Sequence, residues 1–204
     1  MKLFFLPGAC SLSPHIALRE AGVAFDLVRV KRANKRTMED EDLFAINPMG
    51  MVPALRLDSG EVLTEGPAIV QYIADQFPAA KLAPANGTLA RYRLQETMNF
   101  LSTEVHKGFS PLFNPKTPDE YKAMAKEALA TRFNLLEARL AKSEWLIGDG
   151  FTVADGYLFT LLGWAPHVGI DLARWPHLVA YRARIAERPA VLAALTAEGL
   201  LKTA

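Results

Sequence analysis

The hydrophobic pattern of the chain changes character near residue 80. Before that point, short apolar runs typical of strands alternate with segments of helical periodicity, which predicts the order βαβαββα over residues 1–77. From Leu89 onward only helical periodicity is present, in segments near 89–112, 119–142, 152–165 and 175–187. Residues 78–88, with two prolines, a glycine and an asparagine, have the composition of a linker. We therefore expect two domains, a mixed α/β domain over 1–80 and an all-α domain over 87–204.

Turn and capping patterns indicate where several elements begin or end. The short apolar run from Lys2 to Leu6 stops at Pro7-Gly8, which predicts a first strand. We expect a short helix from Met38 to Phe44, ended by Asn47-Pro48. Asp58-Ser59-Gly60 separates two strand-like runs and predicts a hairpin turn. Ser13-Pro14 predicts the N-cap and first residue of the first helix. Thr152 and Asp155 have the spacing of a capping box at a later helix start.

The charge balance disfavours partners that bind mainly by electrostatics. The chain has 23 basic and 22 acidic residues, a formal net charge of +1, and no long run of either sign. This argues against nucleic acid and against an anionic membrane surface. The apolar stretch Leu3 to Leu6 falls short of the roughly 7–15 residues of a secretion signal, and no stretch approaches the roughly 20 residues of a membrane helix. We expect a soluble protein.

Cys10 is the single cysteine of the chain. It excludes an intramolecular disulfide and fits a reducing compartment such as the cytoplasm. It also lies between the first predicted strand and the first predicted helix, where unpaired N–H groups and the helix dipole favour a thiolate. From this position alone, a reactive thiol and a small buried apolar side chain both remain open. The absence of a second thiol disfavours a dithiol oxidoreductase.

Two further motifs of the first half have both a binding and a plain structural interpretation. Val52-Pro53 opens a predicted strand, either as a cis bond that exposes the Val52 backbone or as an ordinary trans proline on an edge. Thr64-Glu65-Gly66-Pro67 predicts a helix start, whose N–H groups suit a carboxylate while Glu65 suits an ammonium. A ligand with an amino-acid head group fits both features, although a solvated cap is the simpler explanation.

The helical half contains one candidate polar face. Asn99, Thr103 and His106 follow at i, i+4 and i+7, so an α-helix would place them on one face, as a ligand-binding stripe or as solvated surface. A histidine there could donate to a thiolate or move a proton near neutral pH. The other histidines lack acidic or cysteine neighbours at ligand spacing, so we expect no metal.

These motifs, in this order and spacing, resemble the cytosolic glutathione transferases, and within them the bacterial beta class. The similarity spans essentially the whole chain. The residues that carry it are Pro7-Gly8-Ala9-Cys10-Ser11, the stretch from Asn47-Pro48 to Val52-Pro53-Ala54-Leu55, Leu63-Thr64-Glu65-Gly66, Glu104-Val105-His106-Lys107-Gly108-Phe109 and Phe151-Thr152-Val153-Ala154-Asp155. The resemblance implies a thioredoxin-like N-terminal domain that binds glutathione, followed by an all-α domain that forms the electrophile site.

The resemblance also implies roles for individual residues. Cys10 and His106 would be catalytic, with Cys10 facing the glutathione sulfur. The Val52 backbone, before a cis Pro53, would pair with the cysteinyl part of the tripeptide. Other expected glutathione contacts are Glu65 and Gly66 at the γ-glutamyl head, Lys35 at the glycine end, and Asn99, Thr103 and Lys107 of the helical domain. Candidate walls of the electrophile pocket, which could equally be core, are Phe109, Phe113, Tyr157 and Trp164.

Three features bear on how closely the chain follows the family pattern. Family members often have serine after the glutamate, whereas Gly66 offers only its backbone N–H. Position 103 is often acidic in the class, so Thr103 weakens a contact with the glutathione of a neighbouring subunit. Other classes use a tyrosine in the first strand, where Phe4 and Phe5 have no hydroxyl, which points back to Cys10 and secondarily to Ser11.

The function that the resemblance implies is a detoxifying glutathione transferase. Glutathione would be the co-substrate, its thiolate would attack a small hydrophobic electrophile, and the enzyme would be a cytoplasmic homodimer without a metal. An alternative is a monothiol glutathione-dependent reductase or dehalogenase with an obligatory mixed disulfide between Cys10 and glutathione. A further alternative is a non-catalytic binding protein on the same fold.

Overall fold

The computed structural model of the chain describes residues 1–201. Four short strands form one mixed sheet in the order β2-β1-β3-β4. Their bounds are Lys2–Phe5 for β1, Asp26–Arg29 for β2, Ala54–Arg56 for β3 and Val62–Thr64 for β4. Strand β1 is parallel to β2 and antiparallel to β3, and β3 and β4 are the antiparallel arms of the predicted hairpin. With the helices below, this confirms the expected order βαβαββα.

The α-helices in chain order are α1 Leu12–Glu20, α2 Leu43–Ile46, α3 Gly66–Gln76, α4 Leu89–Phe100, α5 Lys107–Phe113, α6 Asp119–Leu140, α7 Val153–Leu162, α8 Pro176–Ala186 and α9 Pro189–Glu198. A π-helical segment, Leu101–His106, joins α4 to α5. No strand lies beyond β4 among the described residues, in agreement with the predicted all-α half. No described helix combines the length and the apolar character that a bilayer crossing requires.

The described chain forms two compact units. The first comprises residues 1–83 together with the described residues from Glu187 onward, and the second comprises residues 84–186. Helix α9 therefore belongs to the first unit, where it packs against α1. The predicted domains, 1–80 and 87–204, are continuous segments of the chain, whereas the first unit combines residues from both ends of it. The predicted domain limits therefore stay a prediction.

The core of the first unit is built on β1. Leu3, Phe4 and Phe5 of this strand are all buried, which means that the central strand is covered on both faces. Phe4 packs in a cluster with Val30, Leu43, Ile46 and Ala54. In the second unit, all ten residues of α7 are buried, so this helix is its central element.

Two predicted boundaries are wrong. The first helix begins at Leu12 with Ser11 as its N-cap, so Ser13-Pro14 lies inside the first turn rather than at its start. The short helix that residues 38–44 predict lies at Leu43–Ile46 instead. The residues before it form turns held by isolated bridges, Val30 with Thr37 and Arg36 with Asp42, and backbone pairing of this kind competes with a helix.

Candidate functional site

Cys10 lies in the turn that connects β1 to α1. The side chain is half-buried, and its Sγ lies 3.2 Å from the carbonyl oxygen of Val52, to which the thiol donates. The hydroxyl of Ser11 is occupied by the backbone of Leu6, with its N–H and its carbonyl each 3.2 Å away. Ser11 therefore shapes the turn, while Cys10 faces the Val52 backbone.

Val52 and Pro53 are joined by a cis peptide bond, as the resemblance implies. Pro53 immediately precedes β3, whose first residue, Ala54, pairs with Thr64 at the end of β4. This register brings Glu65 and Gly66 to the same end of the hairpin as Pro53. A side-chain carbon at position 66 would lie 3.8 Å from Cγ of Pro53.

The start of α3 follows directly on this hairpin. Glu65 is exposed and has a φ of 66°, a left-handed conformation that few residues other than glycine adopt without cost. The N–H groups of Ala68 and Ile69 donate to the Glu65 carbonyl, and Pro67 has no N–H. Among the described residues, the Gly66 N–H is therefore the donor that the first turn offers to an anionic ligand.

These contacts unite five of the predicted glutathione-site residues within the first unit: Cys10, Val52, Pro53, Glu65 and Gly66. Lys35 is also in this unit, in the turn between β2 and α2 with a φ of 57°. Its backbone bonds join Lys31 and Leu43, and no described contact connects it to the other five. A role for Lys35 stays a prediction.

A buried group that we did not predict lies beneath the Cys10 turn. The carboxylate of Glu198, at the end of α9, accepts from the Gly8 N–H at 2.9 Å and lies 2.8 Å from Nδ1 of His15 on α1. Both side chains are fully buried. The helix that supplies Glu198 lies outside the predicted helical segments, although Pro189 begins it and Gly199 follows it, which is a sequence signature of helix ends.

In the second unit, His106 ends the π-helical segment and contacts aromatic side chains. Its Nδ1 lies 2.6 Å from the hydroxyl of Tyr157, and its ring lies edge-on to Trp164 with centroids 4.9 Å apart. Burial lowers the pKa of His106 from 6.5 to about 4, with a further contribution from the positive charge of Lys107. The imidazole is therefore neutral at pH 7.

The four aromatic residues predicted as pocket walls lie in one cluster around Trp164. The ring centroid of Trp164 is 5.5 Å from that of Phe109 and 5.7 Å from that of Phe113, and His106 links it to Tyr157. Phe109, Tyr157 and Trp164 are buried, whereas Phe113 is half exposed. Phe113 is thus the member of the cluster that presents most surface to a ligand.

The remaining predicted residues of the helical half are Asn99, Thr103 and Lys107, and all three are exposed. The hydroxyl of Thr103 donates to the Asn99 carbonyl at 3.1 Å. Because residues 101–106 are π-helical, with bonds from i to i+5, the α-helical spacing that grouped these side chains with His106 does not hold there. A glutathione contact by these residues stays a prediction. The described residues contain no group of three His, Cys, Asp or Glu side chains arranged to hold a metal.

Comparison with known proteins identifies the family to which the chain belongs. The glutathione S-transferase N-terminal domain model matches residues 8–76, and the C-terminal domain model matches residues 100–189. Glutathione S-transferase GstA of Escherichia coli O157:H7 is 48% identical over 98% of this chain and 100% of its own length. The chain belongs to the glutathione S-transferase family.

Solved structures of family members agree with the fold described above. A sphingomonad glutathione S-transferase complexed with glutathione is 56% identical, with a TM-score of 0.96 over 98% of this chain and 100% of the other. A bacterial beta-class glutathione S-transferase of Sphingomonas chungbukensis is 55% identical, with the same TM-score and coverage. The expected fold and the resemblance to the bacterial beta class are both confirmed.

Proposed function

We propose that this chain is an enzyme that transfers glutathione to small hydrophobic electrophiles. The observation that carries the proposal is the contact between Cys10 and the Val52 carbonyl beside cis-Pro53, at the end of the hairpin that leads to Glu65 and Gly66. This arrangement lies in a chain 48% identical to GstA and 56% identical to a transferase whose structure was solved with glutathione.

The chemistry of the first unit suits the parts of glutathione. The exposed Glu65 carboxylate matches the α-ammonium of the γ-glutamyl group, and the Gly66 N–H at the start of α3 matches its carboxylate. The backbone of Val52 would pair with the cysteinyl residue, as a strand pairs with a peptide. Such pairing would bring the glutathione sulfur next to Cys10, whose Sγ is already 3.2 Å from the Val52 oxygen.

The proposed reaction is a nucleophilic substitution or addition by the glutathione thiolate. With a chloronitroarene, the thiol gives up its proton, the sulfur forms a bond to the ring carbon that bears chlorine, and the carbon–chlorine bond breaks to release chloride. The chain's contribution is to favour the thiolate over the thiol and to hold it in place. Positioning at the N-terminal end of α1 supports the first task, because the helix dipole favours negative charge there.

In the second unit, we propose that His106 and the cluster around Trp164 serve the same reaction. A neutral His106 cannot act as a permanent positive charge for a thiolate, but it can donate one hydrogen bond or move one proton. If the Tyr157 hydroxyl donates to Nδ1, the proton of the ring lies on Nε2 and remains directed away from Tyr157. The half-exposed Phe113 is the cluster residue that we assign to electrophile contact.

We further propose a cytoplasmic homodimer, where reduced glutathione is available and Cys10 stays reduced. Exposed apolar side chains on α4 support self-association, since Leu89 is 70% exposed and Tyr92 is 60% exposed. Sedimentation velocity on the purified protein tests the subunit number. A single species with the mass of one chain, 22.4 kDa, would refute the dimer.

The decisive experiment is a calorimetric titration with glutathione, followed by a conjugation assay with 1-chloro-2,4-dinitrobenzene. We expect glutathione binding and conjugation by the wild type, and a roughly tenfold or larger loss of affinity for Glu65→Gln, which loses a charge-assisted hydrogen bond. Absence of binding at millimolar glutathione would overturn the proposal. A Cys10→Ala variant that binds glutathione and conjugates normally would show that the transfer reaction does not require Cys10.

A further inference from the structure

The Cys10 turn is attached to the last helix of the chain by a fully buried carboxylate. Glu198, the final residue of α9, uses Oε2 to accept from the Gly8 N–H at 2.9 Å, and its Oε1 lies 2.8 Å from Nδ1 of His15. Gly8 is two residues before Cys10, and His15 is on the helix that starts two residues after it. One carboxylate thus holds the chain on both sides of the sulfur.

The bonding pattern assigns the protons of this group. Nε of Arg19 donates to Nε2 of His15 over 3.4 Å, so Nε2 carries the lone pair and the ring proton lies on Nδ1. His15 therefore donates to Glu198, and the buried carboxylate accepts from two donors. The order of donation runs from Arg19 through His15 to Glu198, with Gly8 as the second donor to that carboxylate.

Packing reinforces the same attachment. Gly8 has a φ of 69°, and a Cβ at that position would lie 3.4 Å from Cδ2 of Leu200, so the residues after α9 also cover the turn. A buried carboxylate is costly to desolvate unless its bonds are satisfied. The hydrogen bonds of Glu198 offset the cost of removing its carboxylate from water, and they fix the conformation of the backbone from Pro7 to Cys10.

We propose that Glu198 is a positioning residue for Cys10, acting through the Gly8 N–H and His15 to hold the thiol against the Val52 carbonyl. The inference deepens the proposed function and rests on it, since it takes Cys10 as the reacting centre. Only the protonated thiol can donate the hydrogen bond to the Val52 carbonyl, so this contact favours the neutral group. Release of the turn should therefore make Cys10 more accessible and more readily ionised.

A Glu198→Gln variant tests this because an amide cannot satisfy both donors. If its oxygen accepts from Gly8, its NH₂ faces Nδ1 of His15, whose proton must move to Nε2 and face the Arg19 donor. If the amide is turned round, its NH₂ faces the Gly8 N–H. One pair of donors is opposed in either orientation, although the side chain keeps its size.

The chain offers a matched control in Glu20→Gln. Glu20, the last residue of α1, accepts from Nε and Nη2 of Arg188 at 2.6 Å and 2.8 Å, and so also joins α1 to the start of α9. The same substitution there weakens the same pair of helices, but at the end of α1 farthest from Cys10. An effect that comes from looser docking of α9 as a whole would appear in both variants.

The measurement is the alkylation rate of Cys10 by iodoacetamide across pH 5.5–9.5. It reports one site, because Cys10 is the single cysteine, and it requires no glutathione, so a failure to bind glutathione leaves the result interpretable. We expect Glu198→Gln to react about tenfold faster at pH 7, with its inflection moved to lower pH, as loss of a hydrogen bond to a charged group implies. Glu20→Gln should stay within about twofold of the wild type.

A Glu198→Asp variant keeps the carboxylate on a shorter arm and should react at a rate between those of the wild type and Glu198→Gln. It also carries the test if the Gln variant does not fold. The inference is overturned if Glu198→Gln has the wild-type rate and inflection, or if Glu20→Gln accelerates alkylation as much. Should only the Asp variant fold, a wild-type rate and inflection for it would overturn the inference equally.

Discussion

Asp155 is the residue whose replacement we expect to destabilise the second unit most. Its carboxylate is fully buried and accepts four hydrogen bonds: at Oδ1 from the Leu146 N–H and the Tyr181 hydroxyl, at 3.0 Å and 2.7 Å, and at Oδ2 from the N–H and hydroxyl of Thr152, at 2.7 Å and 2.9 Å. It thereby joins the start of α7 to α8 and to the loop after α6. Burial, together with the negative charge of Asp155, raises the pKa of Tyr181, which therefore remains a donor.

The cost of Asp155→Asn follows from these four bonds. The two hydroxyls can rotate to accept from the new NH₂, but one backbone N–H, either that of Leu146 or that of Thr152, must face it. A buried donor left unsatisfied costs about 1–3 kcal/mol, and the remaining bonds lose their charge assistance. We expect a total of about 3 kcal/mol, or roughly 6–12 °C in Tm for a chain of this size. Asp155→Ala, which leaves both N–H groups without a partner, should cost about 4 kcal/mol or more.

Urea unfolding monitored by tryptophan fluorescence measures the effect. The control is Asp171→Asn, at the exposed cap of a short 3₁₀ helix, where Oδ1 accepts from the Ala173 N–H at 2.9 Å. Asparagine caps as well as aspartate, so this variant should stay within about 0.5 kcal/mol of the wild type. A free energy of unfolding for Asp155→Asn within about 1 kcal/mol of the wild-type value would refute the reasoning.

Three further predictions concern His106, Gly66 and Gly108. Because the pKa of His106 falls from 6.5 to about 4 on folding, the unfolded chain binds a proton that the folded chain does not, and the free energy of unfolding should drop by about 3 kcal/mol as pH falls through this interval. His106→Gln should remove this pH dependence of the free energy of unfolding, as measured by urea titrations at several pH values. An unchanged pH dependence would contradict the prediction. Gly66→Ser has room beside Pro53 and should lower the glutathione Kd roughly twofold to tenfold, because the serine hydroxyl adds one donor. An equal or weaker affinity in calorimetry would count against the proposed role of position 66 in binding glutathione. Gly108→Ala would place Cβ 2.8 Å from Cδ2 of buried Leu129 and should lower the free energy of unfolding by about 1–3 kcal/mol. The control is Gly150→Ala, whose Cβ meets nothing within 4 Å. Equal Tm values for the two variants in thermal unfolding would exclude the clash.

Much of the fold could be predicted from local patterns in the sequence. The alternating strand and helix periodicities of the first 77 residues, the hairpin turn at Asp58-Ser59-Gly60 and the acidic residue three places after Thr152 all act over a few positions, and each appears in the structure. Predictions from local patterns were wrong where local conformational preferences are weak or compete with one another. Residues 31–42 form turns and bridges rather than a helix, and the π-helical turns at Leu101–His106 interrupt an otherwise regular helical period.

The candidate site divides in the same way. The sequence by itself determined that the single thiol would follow the first strand and precede the first helix, and that Glu65 and Gly66 would open a later helix, because helix and strand boundaries depend on neighbouring residues. Only the tertiary structure decided that Sγ of Cys10 lies on Val52, 42 positions away, and that Tyr157 lies against His106. Only it could join Glu198 to His15 across 183 positions, since no periodicity encodes which distant donor a buried carboxylate will find. That choice is made by packing, which must satisfy every polar group it removes from water.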